Sequence, residues 1–134
     1  MPDPAAVVRA HYDAIRRRDL PGVLDTLAED VAWEFDGPPE IPFAGCRRGR
    51  EAVAAFFAAI RGSVEILEFG VERMMTEGDT VTVLGHEHFR VMATGRAWNV
   101  RWVQIFAVRD GRISGFREFT DTAAIQSAYA ARPE

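Results

Sequence analysis

WNVRWVQIFAVRDGRISGFREFTD, residues 98–121, is two strand-like runs joined at Asp110–Gly111. An Asp-Gly pair between alternating apolar residues is the strongest short-range hairpin signal in a sequence. Alternation places Trp98, Val100, Trp102, Gln104 and Phe106 on one face of the first run, with Arg101, Val103 and Ile105 on the other. On the second run Phe116, Glu118 and Thr120 share a face. A carboxylate, Glu118, therefore sits among aromatics near the end of the final strand.

Upstream of this hairpin the strand pattern continues. Val64–Thr76 and Thr80–Ala93 read as two more strands, turned at Gly78-Asp79 and Thr94-Gly95. On the second of them Val81, Val83, Gly85, Glu87 and Phe89 share one face, and His86 and His88 take the other. Four long antiparallel strands in a meander follow.

The N-terminal part reads differently. Over Pro4–Arg18, Val8, Tyr12 and Ile15 fall at i, i+4 and i+7 of an amphipathic helix that ends in Arg16-Arg17-Arg18. Those cations suit a solvated helix end. Asp19 is set to cap a second helix with Pro21 in its first turn, an apolar stripe of Leu20, Val23, Leu24 and Leu27, and an end at Glu29-Asp30. A short strand, Val31–Phe35, turns Trp33 and Phe35 to one face. Gly37–Gly49, with three prolines and three glycines, reads as loop, and Arg47, Arg48 and Arg50 at its end as a solvated run or a phosphate site. A third helix spans Arg50–Ile60 with Val53, Phe56, Phe57 and Ile60 at helical spacing. A tail helix follows over Asp121–Ala130, capped by Thr120 or Asp121. Helices first and a bent sheet afterwards is an α+β order. A cone is expected: a strongly curved, mainly antiparallel sheet wrapped on about three N-terminal helices, with a short C-terminal helix.

Composition sets the outer bounds. A chain of 134 residues, 48% hydrophobic and 27% charged, fits a single domain over residues 1–134. A net charge of −4 gives no reason to expect nucleic acid. No apolar run approaches a membrane span, and the first residues lack the basic-then-apolar layout of a signal peptide, so a cytoplasmic protein is expected. The one cysteine, Cys46, excludes an internal disulfide and a multi-cysteine zinc site. His86 and His88 lie on one strand face, but no carboxylate or third histidine stands at a matching spacing, and neither metal nor cofactor is expected. His11 reads as a core or pocket-rim histidine.

If the aromatic faces point at the helices, Glu87 and Glu118 both enter an apolar pocket with Gln104 nearby. Two carboxylates in a low-dielectric site do not both ionise easily, so one can act as acid while the other acts as base. The competing reading pairs one or both with Arg90, Arg101 or Arg117 at the surface. Tyr12, Ile15, Trp33, Phe35, Phe56, Ile60, Val100, Trp102, Gln104 and Phe116 are candidates to line the pocket around a small apolar molecule, or simply to fill the core.

Four stretches together carry a resemblance: HYDAIRRRDLPGVLDTLAEDVAWEF, GREAVAAFF, TGRAWNVRWVQIFAVRDGRI and GFREFTD. The chain resembles the nuclear-transport-factor-2-like superfamily, in particular its SnoaL-like polyketide cyclase and limonene-epoxide hydrolase branch. The resemblance implies the cone fold and cofactor-independent chemistry on a small apolar molecule. It carries the proton-transfer acid of the cyclases, and the last-strand Asp of the hydrolases, onto Glu118. The other hydrolase Asp falls on Glu87 and the Arg beside it on Gly85. The ketosteroid isomerases are less similar, since their base falls on Phe35 and their tyrosine on His11. The resemblance also implies a homodimer through the outer sheet face, where Val103 and Ile105 are apolar. A non-catalytic ligand-binding cone and a dimeric interaction module are the rival functions.

Overall fold

The computed structural model describes residues 3–130, so the extreme ends of the domain expected over 1–134 lie outside the described residues. The chain runs α1 (Pro4–Arg16), α2 (Leu20–Asp25), β1 (Leu27–Phe35), β2 (Gly45–Arg48), α3 (Arg50–Ser63), β3 (Val64–Glu77), β4 (Thr80–Val91), β5 (Ala97–Arg109), β6 (Arg112–Thr120) and α4 (Thr122–Tyr129). The strands form one six-stranded sheet in the order β2-β1-β6-β5-β4-β3. Neighbours are antiparallel except β1 and β6, which run parallel with Trp33 opposite Phe116 and Phe35 opposite Glu118. The helices and the concave face of the sheet enclose the core, the α+β cone anticipated from the order of elements. Among the described residues no helix is long and apolar enough to cross a membrane.

Local signals build most of this. Asp3 caps α1 by accepting from Ala5 N at 2.8 Å, Asp19 caps α2 through Gly22 N at 3.0 Å, and Asp121 caps α4 through Ala124 N at 3.1 Å. The β5–β6 turn holds Asp110 and Gly111 at φ +54° and +77°, as an Asp-Gly hairpin turn requires. β4 and β5 alternate strictly between buried and solvent-side residues, so their inner faces follow from period 2 alone.

Two expectations need correction. The second helix stops at Asp25, and Leu27 to Asp30 belong to β1. The Thr26 hydroxyl folds back on Val23 O at 2.6 Å, and its carbonyl accepts Ile113 N at 2.8 Å, which draws the following residues into the ladder with β6. Leu27 is fully buried there, and Glu29 and Asp30 ride an irregularity between Leu27 and Ala32. The second correction is β2, a short edge strand inside the expected loop, antiparallel to β1 with Cys46 opposite Glu34. The arginines that follow serve the backbone: Arg50 donates twice to Leu27 O, at 3.0 and 2.7 Å, and Arg47 donates to Ala52 O while lying over the Phe56 ring.

Candidate active site

The residues with chemistry to offer meet at a cavity of about 330 Å³ between α1, α3 and the concave sheet. Glu87 comes from β4, Gln104 from β5 and Glu118 from β6. All three are buried at the cavity's deep end, and His11, also buried, borders the cavity near Trp33 and Phe57. Ile15, Trp33, Phe35, Phe56, Ile60 and Phe116 form much of its wall, with Trp33 stacked on Phe116 at 3.8 Å between centroids. A larger, shallow groove of about 540 Å³ crosses the outer face of β2, β1, β6 and β5, and none of its titratable groups is buried.

Tyr12, Val100 and Trp102 do not line the cavity, a correction to the expected set. Trp102 stacks on both Tyr12 and Phe69, with ring centroids 6.3 and 5.3 Å away, and the three rings form one cluster in which Tyr12 and Phe69 are 6.4 Å apart. A Cβ on Gly85 would fall 2.2 Å from Trp102 Cζ2 and 2.5 Å from Gly70 O. The position that the resemblance assigns to a hydrolase arginine is thus filled by an indole ring. Phe43 is a wall residue that the sequence concealed. It lies in the Pro-rich loop, where Ile41 N bonds to Pro38 O at 3.1 Å and Ala44 N to Ile41 O at 3.0 Å, and these turns tuck Ile41 and Phe43 inward.

Each glutamate has one neutral donor. Trp98 Nε1 donates to Glu87 Oε2 at 2.7 Å, and Gln104 Nε2 donates to Glu118 Oε1 at 3.0 Å. The Tyr12 hydroxyl donates in turn to Gln104 Oε1. That bond fixes the amide, leaving its NH₂ end for Glu118. Among the described residues no arginine reaches either acid: Arg90 pairs with Glu65, and Arg117 with Glu34 at 3.3 Å. The two acids are not bonded to each other. Their cross-strand partners, Val100 and Gln104, are four positions apart on β5, with Trp102 between them on the same face, and both acids border the cavity.

Burial pushes Glu87 up to about 7, against the pull of the Trp98 bond. It raises Glu118 well above the ordinary carboxylate range, with the Glu87 charge adding to the effect and Gln104 opposing it. Burial thus favours the protonated form of Glu118, which has a proton to give, while Glu87 is partly ionised near neutral pH. Burial, with the Glu118 charge, also raises Tyr12, which stays a donor. Burial lowers His11 to about 3, so it is neutral, 3.0 Å by its Nδ1 from the Thr26 hydroxyl oxygen. Thr26 spends its own proton on Val23 O, so His11 Nδ1 carries the hydrogen.

His86 stands on the outer face, where it meets carboxylates that its own strand does not supply. Its Nδ1 is 2.9 Å from Glu72 and its Nε2 3.4 Å from Glu68, both on β3. The Glu72 bond, more than any other contact, raises its pKa. Among the described residues no three metal-binding side chains converge on one point.

The comparisons with known proteins agree with this architecture. A family model described as a SnoaL-like domain matches residues 8–116. A crystal structure of an NTF2-like protein from Burkholderia xenovorans is 32% identical, covering 95% of each chain at a TM-score of 0.86. One provisionally assigned as a polyketide cyclase, from Xanthomonas campestris, is 25% identical over 95% of this chain and 96% of that one, with a TM-score of 0.75. An LEH-like epoxide hydrolase from M. tuberculosis shares the fold at 21% identity, over 94% of this chain and 88% of that one, with a TM-score of 0.73.

Proposed function

This chain belongs to the SnoaL-like domain family, and from that premise we propose that it is a cofactor-independent enzyme using carboxylate acid–base catalysis on a small, largely apolar molecule. The observation that carries the reading is the pair of buried glutamates, each with one neutral donor and no cation among the described residues, at the deep end of a ring-lined cavity. Glu87 takes a proton from a carbon made acidic by a neighbouring carbonyl. Glu118 gives its proton to the carbonyl oxygen as the charge develops there. For an isomerisation Glu87 delivers its proton to a different carbon while the enol O–H proton returns to Glu118, which restores both groups. For a cyclisation the enol carbon attacks a second carbonyl within the same molecule, Glu87 gives its proton to the new alkoxide oxygen, and the enol O–H proton returns to Glu118. Positioned proton transfer of this kind is typically worth about 10²–10⁴ in rate.

Epoxide hydrolysis fits less well. In the hydrolases that the sequence resembles, an arginine bridges the two acids, and here its position is Gly85, where Trp102 stands in the way of even a Cβ. The cyclase assignment of the X. campestris structure agrees with the enol chemistry. The test is exchange of carbon-bound hydrogen for deuterium from solvent, followed by NMR over a panel of enones and polyketide-like esters. Exchange above background that Glu87→Gln and Glu118→Gln each abolish supports the reading. A silent panel, together with ordinary titration of both acids near 4.5, removes its basis.

Two copies pair through the outer sheet face in this reading. Leu84, Val103 and Phe119 stand opposite one another there across β4, β5 and β6, and Phe119 is 41% exposed. Light scattering should give a dimer mass, and Phe119→Glu should halve it.

A further inference from the structure

The exposed end of the cavity carries two arginines and one carboxylate, Glu68, which lies 3.4 Å from His86 Nε2. Arg16 and Arg18, both exposed, border the cavity where α1 ends. Arg16 already pairs with Asp13, and Arg17 lies 3.8 Å from Asp19, away from the cavity. Arg18 has no ion-pair partner among the described residues. Its backbone is left-handed, φ +58°. Asp19 N bonds to Ala14 O at 2.9 Å and Arg18 N to Ile15 O at 3.0 Å, which is the helix ending whose left-handed position usually falls to glycine. A side chain is kept there against a steric cost, and it borders the cavity. Strain of this sort gathers at ligand clamps.

We infer that the cavity takes an amphipathic organic carboxylate, its apolar body among the rings, its uncharged reacting carbons at Glu87 and Glu118, and its carboxylate at the mouth against Arg18 with Arg16 beside it. This rests on the reading of the cavity as the active site. The charge pattern orients the ligand: an ionised Glu87 repels an anion entering head first, and the arginines hold that anion outside. The Coulomb attraction also raises the ligand's local concentration at the mouth. A volume of about 330 Å³ suits a single ring with a short chain.

The test is calorimetric titration of the full chain at low ionic strength and neutral pH with 6-phenylhexanoate and, as its uncharged match, 6-phenylhexan-1-ol. The acid should bind about fivefold tighter than the alcohol, the scale of one good exposed ion pair. Arg18→Gly, a residue at home in the left-handed position, should reduce that preference to less than twofold without changing the alcohol's affinity. Arg17→Ala should leave the preference intact, and about 0.5 M salt should compress it in the wild type. Equal binding of the two probes, or a preference that survives Arg18→Gly, overturns the anionic end and leaves the cavity reading standing. Binding of neither probe overturns both.

Discussion

Trp98 Nε1 donates to Glu87 Oε2 across 2.7 Å, and both residues are buried. The bond favours the carboxylate and opposes the burial that holds Glu87 near 7. Trp98→Phe keeps the ring and removes the donor. Glu87 should then titrate higher, and less of it should be ionised at neutral pH. A carboxyl-resolved NMR titration reads the first effect. The acid limb of the pH–rate profile, moving to higher pH, reads the second.

Gly85 is fixed by the ring above it. Because a Cβ there would stand 2.2 Å from Trp102 Cζ2, Gly85→Ala must displace an indole packed against both Phe69 and Tyr12. A loss of about 1–3 kcal/mol is expected in chemical denaturation, as for other overpacked cores. Gly85→Arg, which restores the hydrolase residue type, should fail to give hydrolase activity and should destabilise more. The double variant Gly85→Ala with Trp102→Leu should recover part of the loss.

Tyr12 acts on Glu118 through Gln104. With the Tyr12 hydroxyl removed, the Gln104 amide loses what fixes its orientation. Tyr12→Phe should cost about 1 kcal/mol of stability. It should also raise the Glu118 titration, because the amide donor spends less time on the carboxylate. Deuterium exchange should slow through kcat more than through KM.

Stability against pH should peak in mildly acidic solution. Glu87 is held above its unfolded value of 4.5, up to about 7, and Glu118 is also raised well above 4.5, so their contribution is complete below about 4.5 and lost as pH rises through their folded values. His11 is the reverse case: lowered from 6.5 to about 3, it contributes above 6.5 and the contribution is lost as pH falls toward 3. The two slopes oppose each other between 4.5 and 6.5. Each group is worth about 1.4 kcal/mol per pH unit within its own window. Denaturant midpoints across pH should show Glu118→Gln flattening the alkaline side and His11→Gln flattening the acid side.

The side of the sheet on which Glu87, Gln104 and Glu118 lie was legible because period-2 alternation and two-residue turns are local properties. Depth along the cone was not. Tyr12 and Trp102 have the residue type and face of wall residues, and only their stack with Phe69 takes them out of the cavity. The strand character of Leu27 escaped because β6 imposes it, through Thr26 and Ile113, against a helical spacing that is locally self-consistent. β2 has no alternation to read. The carboxylates around His86 come from β3, whose bulged register with β4 no spacing rule on β4 contains. Arg16 and Arg18 read as a solvated helix end, and only the position of α1 against the sheet brings them to the cavity.

The parallel pairing of β1 with β6 also has a kinetic consequence. Phe35 and Glu118 face each other across it, so a wall of the site and its acid come from opposite ends of the chain. A ribosome exposes α1 to α3 and β1 well before Glu118 emerges. Until β6 arrives, β1 lacks its long-range partner, and Trp33 lacks the ring on which it stacks. Closing so long a loop raises contact order and slows folding. Ligand capacity should therefore appear only in the last phase of refolding, together with the burial of Trp33, and no N-terminal fragment ending before β6 should possess it.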